Sequence, residues 1–214
     1  MVPTVPPPRR PSGARRPDDP VRHWYENELG WTTVPGPPVQ LPTGLRFDVL
    51  EVPAEAGFAA LRHLGPYSPV AVRADRMRLF VAAGSAEELP GLLDWLEWGS
   101  LPLDLVATGS GGRVEAPLPP VPVRAGRSGA GGRGGMGSRG GAGGRADPAA
   151  GSQGAAVWLR PPEPGCEVEP SLPTLSGLGG GGGGAPDLVR LVETVATGCH
   201  RIRLRRCAQP LAFS

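Results

Sequence analysis

The sequence predicts an α+β domain, helices interleaved with the strands of a sheet, carrying extensions too rich in glycine and proline to fold. Three observations carry this reading. Short runs of strand-forming residues alternate with stretches whose apolar residues recur at helical spacing. Glycine (34) and proline (28) supply 62 of the 214 residues, a share at which low-complexity segments become common. Hydrophobic residues still make up 39%, enough for a modest core.

The elements follow in chain order. Residues 1–20 are dominated by proline and charge, including Arg9, Arg10, Arg15, Arg16, Asp18 and Asp19, with little to bury, and read as a disordered arm. The main part of the domain spans 21–119. Trp24, Tyr25 and Leu29 suggest a short first helix, and 31–34 and 46–52 read as strands. A helix opens after Pro53, with Ala54, Gly57, Phe58, Leu61 and Leu64 as its apolar stripe. Strands follow at 70–73 and 78–82. Ser85 and Glu88 have the spacing of a capping box, ahead of Leu89, Leu92, Leu93 and Leu96 at helical intervals. Residues 103–106 and 113–116 are the next strand candidates.

Residues 120–153 form a Gly/Arg-rich insert in which no helix or strand would survive the entropic cost. It reads as a disordered, expanded loop between two strands of one sheet. Segment 154–177 contains a closing strand at 156–159 and a proline-rich stretch, and 178–185 is a polyglycine linker. In 186–214, Leu188, Leu191, Val192, Val195 and Cys199 mark a last helix with Pro186 and Asp187 in its first turn, followed by a basic tail.

Charge divides unevenly along the chain. The net charge is +2, and all 22 basic residues are arginine. Residues 21–119 carry 7 Arg against 12 acids, a net −5, whereas 120–153 carry 5 Arg against one acid, a net +4. The part that folds is thus acidic, and a nucleic-acid surface would have to draw its positive charge from the Arg/Gly segments. The insert is similar to Arg/Gly segments that bind single strands, but it has no aromatic residue and its arginines are widely spaced.

Several function classes drop out. No apolar run approaches the ~20 residues of a membrane span, and the first residues lack the apolar region of a signal peptide. A soluble, cytoplasmic protein without a membrane partner is the expectation. Cys166, Cys199, Cys207 and His200 show no zinc-ligand spacing. Without lysine there is no Walker-type loop, and no serine sits in a G-x-S-x-G context.

The order of short motifs adds a resemblance. Trp24-Tyr-Glu-Asn-Glu-Leu-Gly30-Trp31 is followed by Leu41-Pro-Thr43-Gly44 and then by Phe47-Asp48-Val-Leu-Glu51-Val52-Pro53. Further on come Leu103-Asp104-Leu105, Gly111-Gly112-Arg113-Val114-Glu115-Ala116-Pro117 and Ala156-Val-Trp158-Leu159. Over roughly 21–162 this series resembles the bifunctional DNA primase/polymerase N-terminal domain of the archaeo-eukaryotic primase superfamily. The resemblance implies a primase–polymerase-like, RRM-type sheet with flanking helices and a nucleotidyltransferase role in DNA replication. In active members two carboxylates of an Asp-x-Asp strand and a later Asp hold Mg²⁺ or Mn²⁺ ions for nucleotidyl transfer. Asp48, Glu51 and Asp104 are the corresponding catalytic and metal-binding candidates here. Arg76 and Arg78 are candidate nucleotide-binding groups, standing where the family places a histidine.

The sequence departs from that pattern at two points. The residue two after Asp48 is Leu50, and the next carboxylate is Glu51, which in a regular strand faces the other side of the sheet unless a bulge intervenes. The histidine is missing. The resemblance therefore implies a primase/polymerase-like protein that binds nucleotides or single-stranded nucleic acid with a degraded two-metal site. The alternative is a non-enzymatic regulatory or scaffold protein that keeps the fold and uses its acidic face and the helix bearing Trp95 and Trp98 for protein contacts.

Overall fold

Two seven-residue runs rich in Val, Leu and Phe, 47–53 and 76–82, build the centre of a five-stranded antiparallel sheet. In the computed structural model, which describes residues 19–120, 154–175 and 186–208, β2 (Phe47–Pro53) and β4 (Arg76–Ala82) pair without interruption from Phe47↔Ala82 to Pro53↔Arg76. β3 (Val70–Arg73) and β5 (Val106–Thr108) flank them, β7 (Val157–Arg160) adds a further strand beside β3, and the order is β5-β2-β4-β3-β7. A separate two-stranded ribbon joins β1 (Gln40–Pro42) to β6 (Arg113–Glu115). Between β2 and β3 lies α2 (Ala54–Ala60), and between β4 and β5 lies α3 (Ser85–Trp95). The run β2-α2-β3-β4-α3-β5, with its strands in the spatial order fourth, first, third, second, is the split β-α-β arrangement.

The two faces of the sheet bury different chemistry. Leu50, Val52, Val70, Met77, Leu79 and Val81 point toward α2, α3 and the C-terminal helix α4 (Leu188–Ala208). Phe47, Val49, Ala71 and Phe80 point the other way, beneath Trp24, Tyr25, Trp31 and Leu172. Phe47 and Phe80 rings lie 4.9 Å apart, with Trp31 4.9 Å from Phe47 and Trp158 5.1 Å from Phe80. The Tyr25 hydroxyl donates to the Pro117 carbonyl at 2.8 Å and accepts from Trp158 Nε1 at 3.1 Å, so its polar tip is satisfied although the residue is fully buried.

Several elements differ from the sequence expectation. The first helix is composite: α1 (Pro20–His23), capped by Asp19 Oδ1 on the Val21 N–H at 3.0 Å, runs into a π-helical turn Trp24–Glu28. Residues 31–34 form no strand; only Val34 bridges Gln40, because Gly36, Pro37 and Pro38 follow at once, and Trp31 serves as a core plug. The strand expected at 103–106 is displaced to Val106–Thr108, leaving Asp104 in an irregular approach after Pro102.

On α2 the buried positions are Ala56, Gly57 and Ala60, while Phe58 is 54% exposed, contrary to the expected stripe. The small face exists for close packing. A Cβ at Gly198 of α4 would sit 2.8 Å from Ala56 Cβ, so α4 crosses α2 at near-backbone contact. On α4 the apolar stripe is buried as its spacing predicts, and Asp187 Oδ1 caps the helix by accepting from Val189 N at 2.9 Å. Residues 1–18 of the expected arm, the insert beyond Pro120, the polyglycine linker and 209–214 lie outside the described residues. Among the described residues, no helix is long and apolar enough to cross a membrane.

Candidate functional site

The three carboxylates singled out by the resemblance hang from β2 and from the segment entering β5. Because β2 pairs without a bulge, its residues alternate strictly: Phe47, Val49 and Glu51 face the aromatic layer, and Asp48, Leu50 and Val52 face the helices.

Asp48 is fully buried. Its Oδ2 accepts from the Ala86 N–H at 2.9 Å, and its Oδ1 has no partner among the described residues. This is how α3 begins. The N-cap position is Gly84, at φ +91°, without a side-chain cap, and Ser85 lies buried in the helix itself. The capping box expected from Ser85 and Glu88 is thus replaced by a carboxylate reaching across from the neighbouring strand, which suits the partial positive charge of a helix N-terminus. Burial pushes the Asp48 pKa above the ordinary carboxylate range, against the Ala86 hydrogen bond and with help from the Glu87 charge.

Glu51 stands on the other side of the sheet. Arg78 Nε donates to its Oε2 at 2.8 Å, and Arg76 Nε lies 3.5 Å from its Oε1. Arg76 reaches on to Asp104 Oδ1 at 2.6 Å, and Arg206 on α4 lies 3.9 Å from Asp104 Oδ2. Arg78 Nη1 also donates to the Glu115 carbonyl at 3.0 Å, tying the string to β6. The result is an alternating row, Arg206–Asp104–Arg76–Glu51–Arg78, in which every carboxylate is flanked by guanidinium groups. Arg78, with its side chain 7% exposed, anchors it, whereas the Asp104 side chain is 45% exposed.

The structure therefore brings Glu51, Asp104, Arg76 and Arg78 together and leaves Asp48 on the opposite face. The position two after Glu51 on its own face is Pro53, so no second carboxylate stands beside it on the strand. These residues do not fit a divalent pair: two carboxylates share three arginines, and the third carboxylate is engaged with a helix N-terminus beyond the sheet. Sequence reasoning missed that Arg76 and Arg78, read as ligands for a phosphate, are already the partners of the carboxylates. The signal was present, since β2–β4 pairing places Glu51 directly opposite Arg78.

The turn matching the Thr-Gly motif is built into this end of the molecule. Thr43 Oγ1 donates to the Gly109 carbonyl at 2.6 Å, and Gly44, at φ +87°, packs so closely on the Ser110 backbone that a Cβ would clash. The sheet face that stacks bases in RRM-type proteins is closed here, because Phe47 and Phe80 are 2% and 0% exposed under the tryptophans. In comparisons with known proteins, no family model, no curated protein and no solved structure matches this chain.

Proposed function

We propose that the protein is a non-enzymatic regulatory or scaffold protein on a primase–polymerase-like fold, acting by binding rather than by nucleotidyl transfer. One observation carries the reading: Asp48 and Glu51 face opposite sides of an unbulged strand, and Glu51 and Asp104 are neutralised by Arg76, Arg78 and Arg206. A dication would meet more guanidinium than carboxylate charge in that row. The same pairing disfavours the nucleotide-binding alternative, since a phosphate would have to displace Glu51 and Asp104 from Arg76 and Arg78. The split β-α-β strand order supports the fold half of the proposal.

Primer extension with Mg²⁺ or Mn²⁺, run beside direct titration with a fluorescent nucleotide and a labelled single strand, tests both halves. The expected result is no extension and no binding that responds to Arg76→Ala. Extension abolished by Glu51→Ala and by Asp104→Ala would overturn the non-enzymatic reading. Nucleotide binding lost in Arg76→Ala, without extension, would replace the scaffold role with a nucleotide-sensing one.

A further inference from the structure

A groove on the molecule's side is walled by proline and aromatic rings and rimmed by carboxylates. It is formed where α1, the segment after α2 and the segment after β7 meet. Its floor and ridge are Trp24, Pro66, Tyr67 and Pro162, and Tyr67 is 59% exposed. It continues past Pro66, Tyr67 and Pro162 into a smaller hollow of about 300 Å³ that reaches Cys166 and Val168. The acids on its rim are Glu28, Glu163 and Glu167. None of them has an ion pair among the described residues, and Glu163 is approached only by the Cys166 thiol at 3.7 Å. The one arginine lining it, Arg160, is directed to the Gly65 carbonyl at 2.6 Å. The groove thus combines flat apolar rings with uncompensated negative charge, the surface that accepts basic, proline-rich segments.

This chain contains such a segment, and it starts at the groove. Residues 1–18 precede the described part, which begins at Asp19 and places Pro20 in the groove wall. They include six prolines and two P-x-x-P spacings, Pro3-Thr4-Val5-Pro6 and Pro8-Arg9-Arg10-Pro11. Their four arginines, Arg9, Arg10, Arg15 and Arg16, against Asp18 alone, give a net +3, opposite to the three rim acids. We propose that the N-terminal arm docks in this groove in cis, its prolines against Tyr67 and Trp24 and its arginines toward Glu28, Glu163 and Glu167. The insert that leaves the same neighbourhood at Pro120 is the weaker candidate, because residues 121–153 contain only two prolines. Tethering at the groove wall puts the arm at an effective concentration in the mM range. An intrinsic affinity of about 1 mM therefore suffices for it to be bound about half the time.

The test uses the full chain. A nitroxide on Cys166, in a Cys207→Ser background that leaves only the buried Cys199 besides it, reports on amide signals of ¹⁵N-labelled protein. Docking in cis predicts that Val5, Arg9 and Arg10 lose about half of their intensity or more, independently of protein concentration. It also predicts recovery in Tyr67→Ala and in the double variant Arg9→Glu/Arg10→Glu, whose changes lie outside the described residues. Equal broadening in wild type and in both variants reflects tethering alone and overturns the proposal. Broadening confined to 121–153, or seen only when spin-labelled and ¹⁵N-labelled chains are mixed, overturns it in favour of the insert or of a second copy.

Discussion

Strand β2 presents one carboxylate to each side of the sheet, and the two sides have dealt with that charge in opposite ways. Toward the helices, Asp48 is fully buried, with one oxygen on the start of α3 and the other without a hydrogen-bond partner among the described residues. Toward the aromatic layer, Glu51 lies at an open end, between two arginines of β4, in a row that continues to solvent at Asp104. Identical chemistry on adjacent parts of one strand becomes a structural cap on one face and half of a surface ion-pair row on the other. A resemblance that assigns both to one metal site reads a sequence distance as a spatial one. The pleat decides otherwise, because i and i+3 diverge.

The comparison can first be broken at the level of packing. If both faces are true cores, truncation on either should be costly. Phe80→Ala should destabilise the protein by about 3–5 kcal/mol and Leu79→Ala by about 2–5 kcal/mol, measured as loss of urea stability. A small cost for Phe80→Ala alone would mean that the layer of Trp24, Tyr25, Trp31 and Trp158 detaches without unfolding the sheet, and the two faces would not be equivalent.

The ion-pair row sharpens it next. Arg78 is nearly buried and bonds both Glu51 and the Glu115 carbonyl, whereas Arg76 is three times more exposed and holds the outer part of the row (side-chain exposures 7% and 21%). Arg78→Met should cost about 1.5–3 kcal/mol, the range for lost hydrogen bonds to charged groups. Arg76→Met should cost about 1 kcal/mol or less, as solvent-screened pairs do. Equal costs would show that the row acts as one unit, and the distinction between its anchored and exposed ends would fail.

Much of the fold was legible because its determinants are local. The strand-forming runs at 46–52 and 78–82, and the helical stripe from Leu188 to Cys199, can each be read from residues adjacent in sequence. What escaped depends on partners distant in sequence. Phe58 belongs to the apolar stripe of α2 by spacing, yet it is turned outward because Gly198 and Met77 require the small face of Ala56, Gly57 and Ala60. Ser85 fits a capping box, but Asp48, 38 positions away from Ala86, takes the cap. At the site, the opposite orientation of Asp48 and Glu51 was readable from the strand period alone. Their arginine partners were readable only once β2 and β4 were set in register.

The finest distinction between the faces is how Asp48 responds to pH. Burial raises its pKa, so the folded protein holds the Asp48 proton more tightly than the unfolded chain does. Its contribution to stability is then fully present below the ordinary value of 3.8 and is lost as pH rises through the elevated folded value. Asparagine cannot ionise, but it keeps an oxygen for the Ala86 N–H. Asp48→Asn should therefore compare least well with wild type near about pH 3 and gain on it progressively toward about pH 7, as read from urea midpoints in both proteins. The effect should be smaller than any of the truncations, since the cap itself survives. A difference independent of pH would mean that the α3 N-terminus fully compensates the buried charge. A difference that turns against asparagine as pH rises would mean that the ionised carboxylate is the better cap, and that Asp48 is stabilised by its burial site rather than tolerated in it.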